Sequence, residues 1–577
     1  MTKVKLRSYL KPYWKATVLA PLAMILEVAM DLLQPTLMSR IVDQGIFPHN
    51  YQLVLETGLL MIAVAGIGML GGFGCAIFSS IASQNFGADL RTELFTRIQA
   101  FSFHNLDRFP TASLITRLTN DVVQVQNVVL IMLRSLVRAP LLCIGGIIMA
   151  LTIDPQMASV LLIAIPLLGT VLGIIITKGF PLFGAVQRCL DRVNTVIREN
   201  LAGVRVVKAF VRADYEEQRF AKANTDLTDI AVKAGRMVGL TMPVMVLVMN
   251  FSLIAVVWFG GIKVNQGGIA VGQIMALINY MTQILFALMM VGFMLMMVSR
   301  AKASVERIQE VLAVGVDIVD PAVPVPDAIK QGRIRFENVS FRYPGAGGAP
   351  VLRQISFEAL PGETVAILGA TGSGKSTLVN LLPRFYDVTA GRILIDDTDV
   401  RAITLDELRQ KIGVVPQEAI LFSGAVIDNI RWGRTDASET AVVAAAQAAQ
   451  ADEFIRQLSD GYQTSLSQRG VNLSGGQKQR LSIARALVRQ PLILIFDDST
   501  SAVDLGTEAR IRRALQNMPR TTCLVVAQRI SSVMAADKII VLEEGAIVAI
   551  GAHRQLLQES AVYQDIYRSQ TGVEEVV

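Results

Sequence analysis

The sequence predicts a membrane domain of six transmembrane helices that extend into the cytoplasm, followed by a soluble α/β domain. Apolar windows recur through the first half of the chain, hydropathy falls sharply after Arg300, and the remainder alternates strand-like with helix-like segments. The predicted boundaries are residues 1–310 for the membrane domain, 311–332 for a linker and 333–572 for the α/β domain. The linker is rich in Pro, Val and Asp and has no helical period.

The composition agrees with a chain that lies partly in lipid. At 577 residues it is too long for one core, and 52% of its residues are hydrophobic against 18% charged. The net charge of +6 is modest and fits cytoplasmic loops beside a bilayer, so no nucleic-acid partner is expected. The cysteines are scattered without metal-binding or disulfide spacing, which predicts buried structural thiols. They are Cys75, Cys143, Cys189 and Cys523.

Each predicted span approaches the length of about 20 apolar residues that crosses a bilayer. The spans cover residues 16–38, 54–78, 129–151, 157–177, 238–262 and 274–298. Basic residues precede the first span, but the apolar run that follows is long and lacks a small-residue cleavage site. We therefore expect a retained span rather than a signal peptide.

The connections between spans alternate in length and charge. The short connections carry few Lys or Arg residues, and the third has only Lys263. The two long connections are basic, and basic loops stay on the cytoplasmic side. Both long connections, both termini and the α/β domain are therefore predicted to be cytoplasmic, in a protein of the cell membrane. The basic residues are Arg91, Arg97, Arg108 and Arg117 in the first, and Lys178, Arg188, Arg192, Arg198, Arg205, Lys208, Arg212 and Arg219 in the second.

Two acidic residues lie inside the first predicted span. Glu27 and Asp31 are four residues apart, so they share a helix face. Charge within a span is costly and indicates either function or pairing. Two interpretations stay open: an acidic lining of a cavity for a cationic substrate, and a pair bonded to a neighbouring helix. Arg134 and Arg138 of the third span are expected to extend toward the membrane surface or to pair.

Methionine is dense in the last two spans. Flexible thioether side chains suit a surface that accepts ligands of many shapes, although packing between helices or against lipid explains the same pattern. Together these residues favour an apolar substrate of variable shape. They are Met237, Met242, Met245, Met249, Met275, Met281, Met289, Met290, Met294, Met296 and Met297.

A glycine-rich segment of the second domain fits the phosphate-binding pattern GxxxxGK[ST]. It follows a strand-like run at 364–368 and opens an apolar helix, the context that the motif requires. Its backbone N–H groups and helix N-terminus suit phosphate oxygens. Lys375 would bridge the β- and γ-phosphates of ATP, and Ser376 would ligate Mg²⁺. The segment is Gly369, Ala370, Thr371, Gly372, Ser373, Gly374, Lys375, Ser376 and Thr377.

A continuous apolar run at 492–496 predicts a central strand that is buried on both faces. Its carboxyl end delivers Asp497, where ligands meet parallel sheets. Asp497 would hold the Mg²⁺, directly or through water. Asp498 follows at the position where an attacking water would need a base.

A further motif is similar to the signature of ABC ATPases. It comprises Leu473, Ser474, Gly475, Gly476 and Gln477. Tyr343 resembles the family's adenine-stacking aromatic residue, Gln417 its Q-loop glutamine and candidate Mg²⁺ ligand, and the segment at 501–504, ending in Asp504, its D-loop. Six spans followed by one such domain resemble an ABC exporter half-transporter, in which the signature closes on the nucleotide of a second subunit. The resemblance therefore implies a dimer, and coupling helices around residues 104–114 and 210–219.

Two residues depart from the family pattern at the catalytic centre. Asp498 replaces a glutamate, and its carboxylate is one methylene shorter; a misplacement of about 1 Å can cost about 10²-fold in rate. Gln528 replaces the switch histidine, and an amide cannot perform imidazolium chemistry. Gln468 is a smaller departure, where exporters often have glutamate.

These departures resemble the degenerate-site half of heterodimeric bacterial multidrug exporters. On this interpretation the chain exports amphipathic drugs or lipids together with a second half-transporter that supplies an intact glutamate and histidine. Two alternatives remain. One is a homodimer with slow ATPase activity, and the other is a regulatory subunit that senses nucleotide without transport.

Overall fold

The computed structural model describes residues 6–345, 347–499, 503–516 and 520–571. The chain forms two compact units. One comprises Met1–Gln99 and Thr111–Val314, and the other comprises Ala100–Pro110 and Gly315–Val577. The second unit thus includes a short segment of the first long connection, which differs from the division predicted from the sequence. Residues 314–333 adopt no helix or strand.

Long helices make up the first unit. Up to residue 313 the helices are α1 Trp14–Arg40, α2 Tyr51–Gln99, α3 Phe103–Asp107, α4 Thr111–Thr116, α5 Val122–Ile153, α6 Pro155–Ala202, α7 Val204–Ala209, α8 Ala213–Gly239, α9 Thr241–Asn265 and α10 Val271–Ala313, with α3 in the second unit. The helix that contains the fifth predicted span is interrupted at Leu240. Pro243 lacks the N–H that would bond the carbonyl of Gly239, so a regular turn cannot continue there.

Five stretches of the described residues are long and apolar enough to cross a membrane. They are Ser8–Ile46, Tyr51–Gln99, Thr111–Ile153, Ala213–Asn265 and Val271–Val291. The fourth predicted span falls on α6, where the shorter apolar stretch Pro155–Val171 was found. The fourth of the six spans therefore remains a prediction.

Two of the short connections lie against each other. The Asp154 carboxylate caps α6 by accepting bonds from the N–H groups of Gln156 and Met157, at 2.8 and 3.1 Å. Its other oxygen accepts a bond from the Lys263 ammonium at 2.5 Å. This contact agrees with the prediction that both connections lie on one side of the membrane.

The second unit combines a parallel sheet with a smaller antiparallel one. The strands are β1 Ile334–Phe341, β2 Leu352–Ala359, β3 Thr364–Leu368, β4 Ala390–Ile395, β5 Thr398–Asp399, β6 Ile412–Val415, β7 Gly424–Ala425, β8 Ser465–Leu466, β9 Ile493–Asp497, β10 Thr522–Ala527, β11 Lys538–Glu543 and β12 Ala546–Gly551. The main sheet has the order β12-β11-β3-β10-β9-β6 and is parallel apart from β12, and the antiparallel sheet has the order β2-β1-β4-β5.

Helices cover these sheets and form a second layer. They are α11 Lys375–Leu381, α12 Leu405–Lys411, α13 Val426–Arg431, α14 Glu439–Ala448, α15 Asp452–Arg456, α16 Gly475–Leu487, α17 Leu505–Gln516, α18 Ile530–Val533, α19 His553–Glu559 and α20 Ala561–Thr571. One apolar core joins the antiparallel sheet to β3 and α11. A second core joins α13, α14 and α16 to one face of β9. The strand β9 therefore has both faces buried, as its continuous apolar sequence predicted.

Candidate functional site

The register of the parallel sheet brings four predicted loops to one edge. Asp497 at the end of β9 pairs with Val526 of β10, which pairs with Ile367 of β3. On the other side of β9, Phe496 pairs with Val415 of β6. The glycine-rich loop follows β3, Gln417 follows β6, Asp498 follows β9 and Gln528 follows β10, so all four leave the carboxyl edge together.

The glycine-rich loop depends on close backbone approach. A Cβ atom at Gly369 would lie 2.2 Å from the carbonyl oxygen of Leu542 in β11, so any side chain there would displace the loop. Gly374 has φ +99°, which strongly favours glycine, and a Cβ there would lie 2.8 Å from Leu352. These two glycines fix the curve of the loop against β11 and β2. Thr371 and Gly372 at its tip remain exposed.

Lys375 begins α11 and turns back over the loop. Its side chain is buried, and its ammonium donates to the carbonyls of Gly369 and Ala370, both at 2.8 Å. Burial lowers the pKa of Lys375, an effect opposed by the carboxylates of Asp498 and Asp497. The neighbouring Ser373 hydroxyl is buried and has no hydrogen-bond partner among the described residues. An ammonium, an orphaned hydroxyl and a glycine-rich backbone together suit a phosphate group.

Ser376 and Asp497 form an oxygen pair that fits Mg²⁺. The Ser376 hydroxyl donates to the Asp497 carboxylate at 2.7 Å. Burial raises the pKa of Asp497, while the bond from Ser376 and the charge of Lys375 oppose this rise. No group of three His, Cys, Asp or Glu side chains that could hold a metal occurs among the described residues. A cation here would therefore take its remaining oxygen ligands from nucleotide and water, as Mg²⁺ commonly does.

Asp498 is held by two side-chain amides. Its Oδ2 accepts a bond from Gln528 at 2.8 Å and a longer contact from Gln417 at 3.5 Å. Its backbone adopts φ +47°, a left-handed conformation that aspartate tolerates better than most residues. Burial and then the charge of Asp497 raise the pKa of Asp498, against the opposing effects of Lys375, Gln528 and Arg529. Gln417, predicted as a metal ligand, thus contacts Asp498 rather than Ser376 or Asp497.

The C-terminal helix α20 supports the loop that carries Gln528. The amide of Gln570 donates to the Gln528 carbonyl and accepts from the Ile530 N–H, both at 2.8 Å. Sequence analysis did not identify Gln570. It lies outside every motif, and no local pattern marks a glutamine that bonds to backbone 40 residues earlier.

Tyr343 lies beside the glycine-rich loop. Its hydroxyl shares a hydrogen bond with the Thr377 hydroxyl at 3.0 Å. Its ring packs edge-on against Tyr386, with 5.3 Å between ring centroids. The structure therefore places the predicted adenine-stacking residue at the first turn of α11.

The signature residues belong to the other core. Leu473 is buried there, while Ser474 and Gly475 are exposed at the start of α16. Ser474 and Gln477 form a reciprocal capping box, with bonds of 3.3 and 2.8 Å. Among the described residues no hydrogen bond or ion pair joins this motif to the glycine-rich loop.

The D-loop is described in part. Ser501 and Ala502 lie outside the described residues. Asp504 accepts a bond from the Thr507 N–H at 2.9 Å and precedes α17. This backbone bond lowers the pKa of Asp504.

The acidic pair of the first span is bonded to a neighbouring helix. Arg138 of α5 donates to Glu27 at 2.6 Å and to Asp31 at 3.0 Å. The three side chains line a cavity together with Met69 and Phe73 of α2. The structure is therefore compatible with both interpretations, because the two carboxylates are ion-paired and also border a cavity.

The methionines of the last two spans divide between packing and exposure. Met245, Met281 and Met294 are buried against neighbouring helices. Met242 and Met275 are exposed on the isolated chain. The side chain of Met296 lies outside the described residues. Only the exposed members are available to a ligand or a partner.

Comparison with known proteins gives matches along most of the chain. Residues 17–289 match the family described as the ABC transporter transmembrane region, and residues 352–501 match the family described as ABC transporter. The chain is 45% identical over 570 residues to the uncharacterized ABC transporter ATP-binding protein YfiB of Bacillus subtilis (strain 168), covering 99% of each chain. It is 35% identical over 498 residues to the ATP-dependent lipid A-core flippase of Syntrophus aciditrophicus (strain SB), covering 86% of this chain and 82% of the flippase. The solved structure of a bacterial Atm1-family ABC exporter with ATP bound is similar with a TM-score of 0.78 and 28% identity, covering 97% of this chain and 99% of that chain.

Proposed function

The chain belongs to the ABC transporter family, with a transmembrane region fused to an ABC ATPase domain, and on this premise we propose that it is one half of a heterodimeric exporter. Its own site would bind ATP and hydrolyse it slowly. Its signature would complete the fast site of a partner half-transporter, and the pair would export amphipathic drugs or lipids across the cell membrane.

The observation that carries this proposal is the pairing of Asp498 with Gln528. A general base must present a free carboxylate oxygen within hydrogen-bond reach of the attacking water. The Asp498 carboxylate is one methylene shorter than a glutamate, and its Oδ2 is held at 2.8 Å by the Gln528 amide. An amide neither accepts nor releases a proton near neutral pH. Both features would weaken hydrolysis at this site.

The remaining groups of this site support ATP binding. Lys375 and Ser373 would bind phosphate oxygens, and Tyr343 would stack on adenine. Ser376 and Asp497 would hold Mg²⁺, which neutralises charge on the phosphates when bound. The bond from Lys375 to the Gly369 carbonyl, at 2.8 Å, and the bond from Ser376 to Asp497, at 2.7 Å, hold these side chains in place before nucleotide binds. Retention of ATP and slow hydrolysis are therefore compatible in one site.

The exposed signature supports a role at the nucleotide of a second subunit. The first N–H groups of a helix have no partner within it, and they suit a phosphate. In α16 these belong to Gly475 and Gly476, which place no side chain over the helix end. The partner would bring the intact glutamate and histidine that this chain lacks.

The second long connection supports docking on that partner. Phe210 and Val211, between α7 and α8, are 73% and 87% exposed. Val211 also has φ +52°, an unfavourable conformation for a β-branched residue. An apolar, strained tip in a cytoplasmic connection would be covered by the partner's ATPase domain. The predicted helix at 210–219 differs from the structure, in which residues 210–212 form a turn between two helices.

The proposed substrate class rests on the membrane unit. A cavity lined by the charged residues Glu27, Asp31 and Arg138 and by the apolar residues Met69 and Phe73 suits a molecule with a polar end and an apolar body. The flippase relative is named for a lipid substrate, which agrees with an amphipathic cargo.

The test compares ATPase activity of this chain alone, of the chain co-expressed with its partner half, and of the double variant Asp498→Glu with Gln528→His. We expect low activity alone, restored turnover with the partner, and a rise of about 10²-fold in the double variant's own site. Brisk hydrolysis by the unmodified chain alone would overturn the proposal in favour of a homodimer. ATP binding without hydrolysis in every sample would instead indicate a regulatory subunit.

A further inference from the structure

The short helix α3 of the first long connection packs within the ATPase unit. The Phe103 ring lies 4.6 Å from that of Phe385, between centroids. Asn105 donates to the Asp317 carboxylate at 2.8 Å, and His104 bonds to the same carboxylate. Ser102 caps the helix. Ordinary packing and hydrogen bonds therefore hold α3 in place.

The same segment is covalently continuous with helices of the membrane unit. The helix α2 ends at Gln99, directly before the segment Ala100–Pro110, and α4 begins at Thr111, directly after it. A change in the position or order of α3 must therefore act on the ends of two helices that belong to the other unit.

Tyr386 contacts both α3 and the nucleotide-binding residues. Its hydroxyl donates to the Asp107 carboxylate at the end of α3, at 2.8 Å. Its ring packs edge-on against Tyr343, whose hydroxyl bonds to Thr377 at 3.0 Å. Burial and the neighbouring Asp107 carboxylate raise the pKa of Tyr386, so its hydroxyl stays protonated and remains a donor. Three consecutive side-chain contacts therefore connect Thr377 to Asp107.

We propose that Tyr386 is a positioning residue that transmits occupancy of the nucleotide site from Tyr343 to α3. Stacking on a base would further order the Tyr343 ring, which the bond to Thr377 and edge-on contacts with Phe341 and Tyr386 hold in the absence of nucleotide. An edge-on aromatic contact has a narrow preferred geometry, so ordering one ring orders the other. The Tyr386 hydroxyl then holds Asp107, and the end of α3 becomes more rigid. This inference rests on the proposed binding of ATP at Tyr343.

Hydrogen exchange of residues 102–107 tests the inference in the full-length chain in lipid nanodiscs. Exchange is measured with and without ATP and Mg²⁺, and ATP affinity is measured on the same samples. In the unmodified protein we expect ATP to slow exchange of this segment by about ten-fold. In Tyr386→Phe, which keeps the ring and removes the hydroxyl, the ATP-dependent difference should disappear while ATP affinity is unchanged.

A matched control exists in the same unit. Tyr462 is also half-buried and donates to an aspartate, Asp452, at 2.7 Å, so Tyr462→Phe removes an equivalent bond elsewhere. This control should keep the full effect of ATP on residues 102–107. Asp107→Ala should abolish the effect, and combining it with Tyr386→Phe should add nothing, because both changes remove one interaction.

The outcomes separate this inference from the proposed function. If ATP binds but slows exchange equally in Tyr386→Phe and in the unmodified chain, or if it does not affect the segment at all, the inference is overturned while the proposed function stands. The same holds if Tyr462→Phe abolishes the effect as well. If the chain does not bind ATP, both are overturned, and the affinity measurement shows it directly.

Discussion

At the scale of single residues, Asp497 and Asp498 are adjacent carboxylates with different partners. Asp497 accepts a bond from the Ser376 hydroxyl, and Asp498 accepts one from the Gln528 amide. Burial raises the pKa of both, and Lys375 opposes the rise in both. Under the proposed function, these different surroundings suit Asp497 to cation binding and Asp498 to the position of the attacking water.

The raised pKa of Asp497 predicts a pH dependence of Mg²⁺ binding. A protonated carboxyl is a poor Mg²⁺ ligand, and burial extends the protonated form above the ordinary aspartate pKa of 3.8. The Mg²⁺-dependent part of ATP affinity should therefore be complete well above the raised pKa and decline as pH falls through it. Titrations of ATP with and without Mg²⁺, from about pH 8 to about pH 5, measure this decline.

Asp497→Asn should remove the Mg²⁺-dependent part of the ATP affinity at every pH. The pH profile of this variant also shows how far protonation of ATP itself changes the affinity. Asp452→Asn, a change in α15 at the second core, should leave the unmodified profile in place. A Mg²⁺-dependent affinity that is constant down to about pH 4.5 would contradict a raised pKa of Asp497.

At the scale of elements, Arg138 joins the first and third predicted spans. It donates to two carboxylates of α1 from a position one turn beyond Arg134 on α5. A charge within a membrane-spanning helix is costly when it has no partner. The three charged residues therefore hold α1 against α5, and they also line the cavity.

Arg138→Met should destabilise the protein, because it leaves Glu27 and Asp31 without a cation. The expected loss in free energy of unfolding is about 1 to 3 kcal/mol, measured by thermal unfolding in nanodiscs. Adding Glu27→Gln and Asp31→Asn to the variant should recover most of the loss. Arg134→Met is the matched control, since Arg134 has no ion pair among the described residues and its loss should cost less than about 0.5 kcal/mol. Equal destabilisation by both arginine changes would show that charge pairing is not the cause.

Local patterns predicted the elements that hold the site, because each depends on residues close in sequence. The strand at 493–497 follows from an uninterrupted apolar run, and the glycine-rich loop follows from backbone conformations that only glycine adopts easily. Contacts between distant segments could not be predicted in this way. The bond of Arg138 to Glu27 spans 111 positions, and that of Tyr386 to Asp107 spans 279. No local sequence pattern marks either pair of residues as partners.

At the scale of the whole molecule, the two long connections between the predicted spans differ. The first packs the Phe103 ring against Phe385 and Tyr386 of this chain's own ATPase domain. The second exposes Phe210 and Val211 on the isolated chain. A soluble surface seldom keeps a strained and exposed apolar tip without a partner. The asymmetry favours an assembly in which one connection serves its own ATPase domain and the other serves the partner's.

Val211 and Val323 offer a matched pair for testing this assembly. They are 87% and 85% exposed, and Val323 belongs to the predicted linker rather than to the second connection. Val211→Asp should weaken association with the partner half, because a desolvated carboxylate in an apolar contact costs binding energy, by about ten-fold or more in Kd. It should not destabilise the isolated chain, because aspartate tolerates φ +52° better than valine does. Val323→Asp should leave association unchanged. Co-purification yield and thermal unfolding of each variant measure the two effects, and equal association of the two variants with the partner would exclude the tip from the interface.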